Sequence, residues 1–246
     1  AGVHAELGDP PTLAGAQLGY LERFRWMALL VTIETTRLQE AGEPVAAMQI
    51  NRDLAAFARQ IADRAMGAEV FWAYETMSQG MRRIRDVVYV DSKGERLLTG
   101  AQLTDVVDWL DLERGLFRTD RLRIPEGDRL AAEQLIARVF DDGSGRPREG
   151  VFATTMAEMA STGRPLRLFA EAGRWSGLAS GHANASDTSR AVGGVYSDWM
   201  RRWNADPFDR LQREVPEYAE LGESEYALVR EAVPNLSLLK NMRRGL

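Results

Sequence analysis

The amino-acid sequence predicts a mainly α, multi-helix globular fold with one small β-hairpin near residues 87–98. Three observations lead there. Apolar residues recur at three- and four-residue spacing through several long windows. Proline and glycine punctuate those windows where helices should start and stop. One stretch, residues 87–98, changes to a strand-like composition around a polar turn.

Taken in order, the segment up to Thr12 is rich in Gly and Pro, and Pro10-Pro11 blocks a helix there. From Leu13 to about Ala41, Leu18, Leu21, Phe24, Met27, Leu30 and Val31 follow helical spacing. Between Trp26 and Ile33 apolar residues cover almost the whole circumference, which predicts a helix buried at the centre of the fold. Gly42-Glu43-Pro44 ends it. A second helix runs from about Val45 with Leu54, Phe57, Ala58, Ile61 and Ala65 on one face.

The hairpin is read from Val87-Val88-Tyr89-Val90, a turn at Asp91-Ser92-Lys93-Gly94-Glu95, and Arg96-Leu97-Leu98. Thr99 and Gln102 have the spacing of a capping box, opening a short amphipathic helix with Leu103, Val106, Val107 and Leu110. Leu122-Arg123-Ile124 reads as a further short strand, and Asp128 as the cap of a helix facing inward through Leu135, Ile136 and Val139. A helix is expected from Val151 to Ser161. Gly173 to Gly194 is the longest stretch without periodicity and reads as an irregular loop, with helix resuming near Val195. Asp206-Pro207 marks another helix start, Pro234 ends a helix from about Glu223, and Leu236 to Arg244 forms the last.

The 246 residues are read as a single mainly helical domain, 1–246. Asp141 to Gly150, polar and Gly/Pro-rich, is the place where portions 1–140 and 151–246 would divide.

Composition excludes several chemistries. The absence of cysteine removes disulfides, thiolate metal sites and a cysteine nucleophile. Two histidines, His4 and His182, cannot build a multi-histidine metal centre, so no metal is expected, and no motif implies a cofactor. A net charge of −5 argues against nucleic acid as the main ligand. No apolar run approaches the length of a transmembrane helix. Basic residues are almost all arginine, with lysine only at Lys93 and Lys240, for which a GC-rich bacterial genome is the simplest reason. The chain opens Ala1-Gly2-Val3-His4 without methionine; export after signal-peptide removal is the expected route, with the cytoplasm as the alternative.

Three regions carry residues with chemical potential. Ser180 or Ser186, His182 and Asp187 match a nucleophile–base–orienter set by residue type. Against that stands the simpler role of His182 and Asp187 as hydrogen-bonding groups for their own loop. Arg174 and Trp175 nearby suit an anionic or flat ligand. Glu34 lies between Leu30 and Leu38 on one helix face, where an apolar setting would raise its pKa for general-acid work; Arg37, three residues on, is the competing ion-pair partner. Phe71 and Trp72, with Tyr74, Met77 and Met81, form an aromatic and methionine cluster suited to binding or, more ordinarily, to a core.

Two function classes follow. The first is a non-enzymatic structural or interaction protein that joins an assembly through a helical surface, with a protein partner or a homo-oligomer implied. The alternative is a hydrolase acting on a glycan or ester, built on Glu34 or the His182 loop. The absence of any catalytic signature motif favours the first.

Overall fold

Residue 7 and residues 12–111, 123–161, 168–205 and 214–235 are described by the computed structural model, and every extended run of regular structure among them is helical. Contacts divide the described residues into two units, one of 19–111 and 123, the other of 7, 12–18 and 124–235.

The first unit is built on α1 (Tyr20–Glu40), α2 (Pro44–Ile61), α3 (Gly67–Lys93) and α4 (Gly100–Trp109). The Gly-Glu-Pro punctuation acts as its chemistry requires. Gly42 takes a left-handed φ of 73°, its N–H donates to Gln39 O at 3.1 Å, and Glu43 N–H donates to Leu38 O at 2.9 Å. This is the double bond of a Schellman end, and Pro44 then opens α2 at the position where its missing N–H costs nothing.

Polar contacts between the helices set how they pack. Asn51 of α2 is 1% exposed; its amide donates to Thr35 Oγ1 of α1 at 2.7 Å and to Ala47 O at 2.7 Å. Thr35 Oγ1 in turn donates to Val31 O at 2.7 Å. At the other end of α1, the buried Glu69 carboxylate accepts from Tyr20 Oη and Arg64 Nε, and from Met66 N–H at 3.2 Å. Burial, and then the Glu69 hydrogen bond and charge, push Tyr20 up to about 12. Phe24, Phe57 and Trp72 fill the space between these two contacts, with ring centroids 4.9–6.1 Å apart. α2 and α3 pack closely at Gly80, where an added Cβ would lie 3.3 Å from both Ala55 Cβ and Asn51 O.

The hairpin expected near 87–98 is not there. Residues 87–93 complete α3. The run of β-branched residues suggests a strand by local preference, but Ile84 and Val87, one helical step apart, both enter a cluster with Leu38, Met48 and Val106. Tyr89 and Val90 are left exposed. Packing of one helical face outweighs a preference worth about 1 kcal/mol. The polar residues read as a hairpin turn instead close the helix. Asp91 accepts from Leu97 N–H at 2.8 Å and Leu98 N–H at 3.1 Å, and Arg96 takes a left-handed φ of 56°. The capping box forms at its expected place, with Thr99 N–H donating to Gln102 Oε1 at 2.8 Å and Gln102 N–H to Thr99 Oγ1 at 3.3 Å.

The second unit contains α5 (Gly127–Val139), α6 (Glu149–Ser161), α7 (Leu168–Ala179), α8 (Ala185–Asn204), α9 (Glu217–Glu220) and α10 (Ala227–Ala232). Leu135, Val139, Phe152, Met156, Val192 and Leu228 are among its fully enclosed residues. Residues 141–150 lie inside this unit. Asp141 Oδ1 accepts from Ser144 N–H at 2.8 Å, and an isolated bridge joins Phe140 to Pro147.

Gly173 to Gly194, read as irregular, is mostly α7 and α8, with only 180–184 between them. Small residues gave the sequence little apolar contrast there, yet Ala179, Ala191 and Val192 face the core. Asn184 caps α8 by accepting from Asp187 N–H at 2.9 Å. Asp128 lies within the first turn of α5 and not at its N-cap, a position held by Glu126 without a side-chain bond. Residues 123 and 124 are not a strand, and Leu122, Asp206-Pro207 and the segment from Leu236 onward lie outside the described residues. No helix among the described residues is long and apolar enough to cross a membrane.

The close approach at Gly80 yields a stability test. Gly80→Val forces two helix backbones apart and is expected to cost about 1–3 kcal/mol, read as a lowered urea midpoint. An unchanged midpoint would contradict the packing described.

Candidate functional site

The 180–184 connector holds His182, which is buried between the Phe140 and Phe152 rings at centroid distances of 5.7 and 5.1 Å. Both of its nitrogens are used. Nε2 accepts from Leu228 N–H at 3.1 Å, so the ring proton sits on Nδ1, which donates to Ala183 O at 2.9 Å. Ala183 N–H donates to Glu225 O at 2.9 Å, a second tie between the connector and the residues just before α10. Burial lowers the His182 pKa from its ordinary value, against the raising effects of the Ala183 carbonyl and the Glu225 charge.

This arrangement does not assemble a catalytic set. Ser180 is exposed. Asp187 accepts from Asn184 Nδ2 at 2.8 Å and from Arg190 at 2.7 Å, serving the first turn of α8. Ser186 is exposed in that same turn. A histidine whose two nitrogens already hold backbone groups has no free nitrogen for a serine proton. His182 fastens the α7–α8 connector to the start of α10.

Arg174 and Trp175 do meet. The guanidinium lies 4.7 Å from the ring centroid, and Arg174 also pairs with Glu171 at 3.1 Å. Together with Tyr218, Glu223, Arg230 and Glu231 they border a cleft of about 300 Å³. Trp175 is 1% exposed and offers no stacking face to solvent. Arg230 spends its Nη1 donors on Tyr218 O at 3.2 Å and Leu221 O at 2.9 Å. Charges of both signs line the cleft, so it favours no single ligand charge.

Glu34 faces outward from α1 with a partly exposed carboxylate, forked by Arg37 Nε at 2.8 Å and Nη2 at 2.7 Å. The Arg37 hydrogen bonds hold it below the usual carboxylate range, the opposite of the shift that general-acid work needs. Trp72 is buried in the aromatic cluster with Phe24 and Phe57, and Phe71 is half-buried beside it.

Residues 26–33 hold the feature that the sequence reading misplaced. α1 is not buried all round. Leu21, Ala28, Thr35 and Leu38 face the unit's interior. On the opposite side Trp26, Leu29, Leu30 and Ile33 are 61%, 48%, 65% and 58% exposed. Their i, i+3, i+4, i+7 spacing makes them neighbours in one stripe about two turns long. A groove of about 230 Å³ between α1 and α3 runs beside it, with Arg25, Leu29 and Thr32 on one wall and Glu75 and Gln79 on the other. The signal was present in the sequence as two apolar stripes on opposite faces of one helix, which together look like full burial.

Comparison with protein-family models, with curated proteins and with solved structures returns no match. Among the described residues no cluster of His, Asp or Glu is placed to hold a metal ion.

The His182 geometry carries a pH prediction. Its folded-state pKa lies below the ordinary 6.5, so the unfolded chain takes up the proton first. The stability it contributes is present above about pH 6.5 and is lost as pH falls below that value. The gap in urea midpoint between the native chain and His182→Gln is therefore expected to shrink as pH falls from neutral into the acid range. A gap that stays constant would contradict the buried, neutral ring.

Proposed function

We propose that this protein is a non-enzymatic interaction protein that joins a protein assembly through the outward face of α1. The observation that carries this reading is the exposed stripe Trp26, Leu29, Leu30 and Ile33. Scattered exposed apolar residues are ordinary, but contiguous ones on a soluble surface mark places where another molecule sits. A tryptophan at one end is a residue type enriched among the anchors of protein interfaces, and the aliphatic residues beside it add apolar area that excludes water around it. A rigid two-turn stripe at i, i+3, i+4, i+7 suits another helix better than a small ligand. The charged residues Arg23, Arg25 and Arg37 surround it as a polar rim.

Leu30→Asp tests the reading, because it places a charge in the stripe without touching the packed side of α1. In cross-linking capture from the source cells, native chain is expected to retain partners that the variant loses, with affinity reduced about tenfold or more. The same cross-linked species at the same yield from both chains would overturn it.

A further inference from the structure

We infer that the occupant of the α1 face is the same face of a second copy, with the two α1 helices antiparallel about a two-fold axis between Leu29 and Leu30. This rests on the reading of that face as an interaction surface and names its partner. The argument is one of register. Trp26 and Ile33 are the ends of the apolar stripe, and the midpoint between them falls between Leu29 and Leu30. Glu22 stands four residues before Trp26 and Arg37 four residues after Ile33, so both continue the same helix face. Their midpoint is also the point between Leu29 and Leu30. The stripe and its two terminal charges therefore share one centre.

A two-fold axis through that centre makes the face complementary to itself, as a closed dimer requires. Trp26 of each copy meets Ile33 of the other, Leu29 and Leu30 meet their own mates beside the axis, and Glu22 of each copy meets Arg37 of the other at both ends. A parallel pairing would instead set Glu22 against Glu22 and Arg37 against Arg37. The charges thus choose the antiparallel arrangement. Both end residues are exposed and available. Glu34 takes Nε and Nη2 of Arg37 and so holds the guanidinium in place, while Nη1 is not used in that fork.

A single helix seam covers less than the roughly 800 Å² per partner of a standard interface, so the dimer is expected to form and dissociate with concentration. Sedimentation of the full chain from micromolar to sub-millimolar concentration tests the proposal. The native chain is expected to show a monomer–dimer equilibrium. Glu22→Arg and Arg37→Glu, both surface changes, are each expected to weaken it at least about tenfold by setting like charges together. An equimolar mixture of the two single variants, and the double variant alone, are expected to regain dimer, since each restores opposite charges at both ends. Circular dichroism of every variant checks that the helices are intact.

A native dimer indifferent to both reversals would overturn the proposal by placing the contact elsewhere. A native chain that stays monomeric throughout would also overturn it. If such a monomer still loses captured proteins on Leu30→Asp, only the self-pairing fails and the interaction reading stands. If capture is equally indifferent, both fail.

Discussion

Which side of α1 turns inward is decided by a buried amide. α1 carries apolar residues on two opposite faces, and hydrophobic burial alone would satisfy either. Asn51 of α2 offers its amide at a buried position, and Thr35 on α1 supplies the acceptor at 2.7 Å. Rotating the helix to bury Trp26 and Ile33 instead would carry Thr35 away and leave Asn51 with only its bond to Ala47 O, one buried N–H unpaired at a cost of about 1–3 kcal/mol. Tyr20 adds a second constraint on the same rotation through its bond to the buried Glu69. These two polar contacts make the outward stripe a consequence of the fold, because they assign the other face to the core.

The same preference for fixing position with polar groups recurs in the second unit. His182 spends both nitrogens on backbone atoms, and Asp198, buried, pairs with Arg201 at 2.6 Å and Arg202 at 2.7 Å. Burial pushes the Asp198 carboxyl up, but the two arginine hydrogen bonds outweigh it and hold it below the usual range. Arg202 also donates to the carbonyls of Glu214 and Val215, tying α8 to the chain before α9. His182 and Asp198, which look reactive by residue type, are thereby used in holding the fold. The functional reading rests instead on the apolar face of α1, where four large exposed residues form one stripe.

The sequence disclosed the helices and their punctuation more readily than the faces they present. Gly42-Glu43-Pro44 and the Thr99–Gln102 box act locally, through backbone geometry and bonds only a few residues apart, and local chemistry is visible in a single chain. The Val87–Val90 run misleads because its strand preference is overruled by contacts with Leu38, Met48 and Val106, which are distant in sequence. The 173–194 stretch misleads for the opposite reason: its helices are built from small residues whose burial depends on partners elsewhere. Of the candidate site, Glu34–Arg37 pairing and the structural role of His182 were both legible as alternatives, since each needs only ordinary hydrogen-bonding chemistry. The exposed stripe was not, because Trp26, Leu29, Leu30 and Ile33 alternate with residues of the packed face. Periodicity cannot tell two half-buried faces from one fully buried helix.

The measurement that bears most directly on the self-pairing of α1 uses the absence of native cysteine. A disulfide forms only when the two Cα atoms lie within about 7 Å. Leu29 stands beside the proposed axis, whereas Glu22 and its mate would be separated by about 22 Å along the helices. Under mild oxidation Leu29→Cys is expected to yield a covalent dimer. Glu22→Cys alone should not, but mixed with Arg37→Cys it should cross-link to that chain. Efficient dimer from Glu22→Cys alone, or none from any of the three arrangements, would contradict the antiparallel pair.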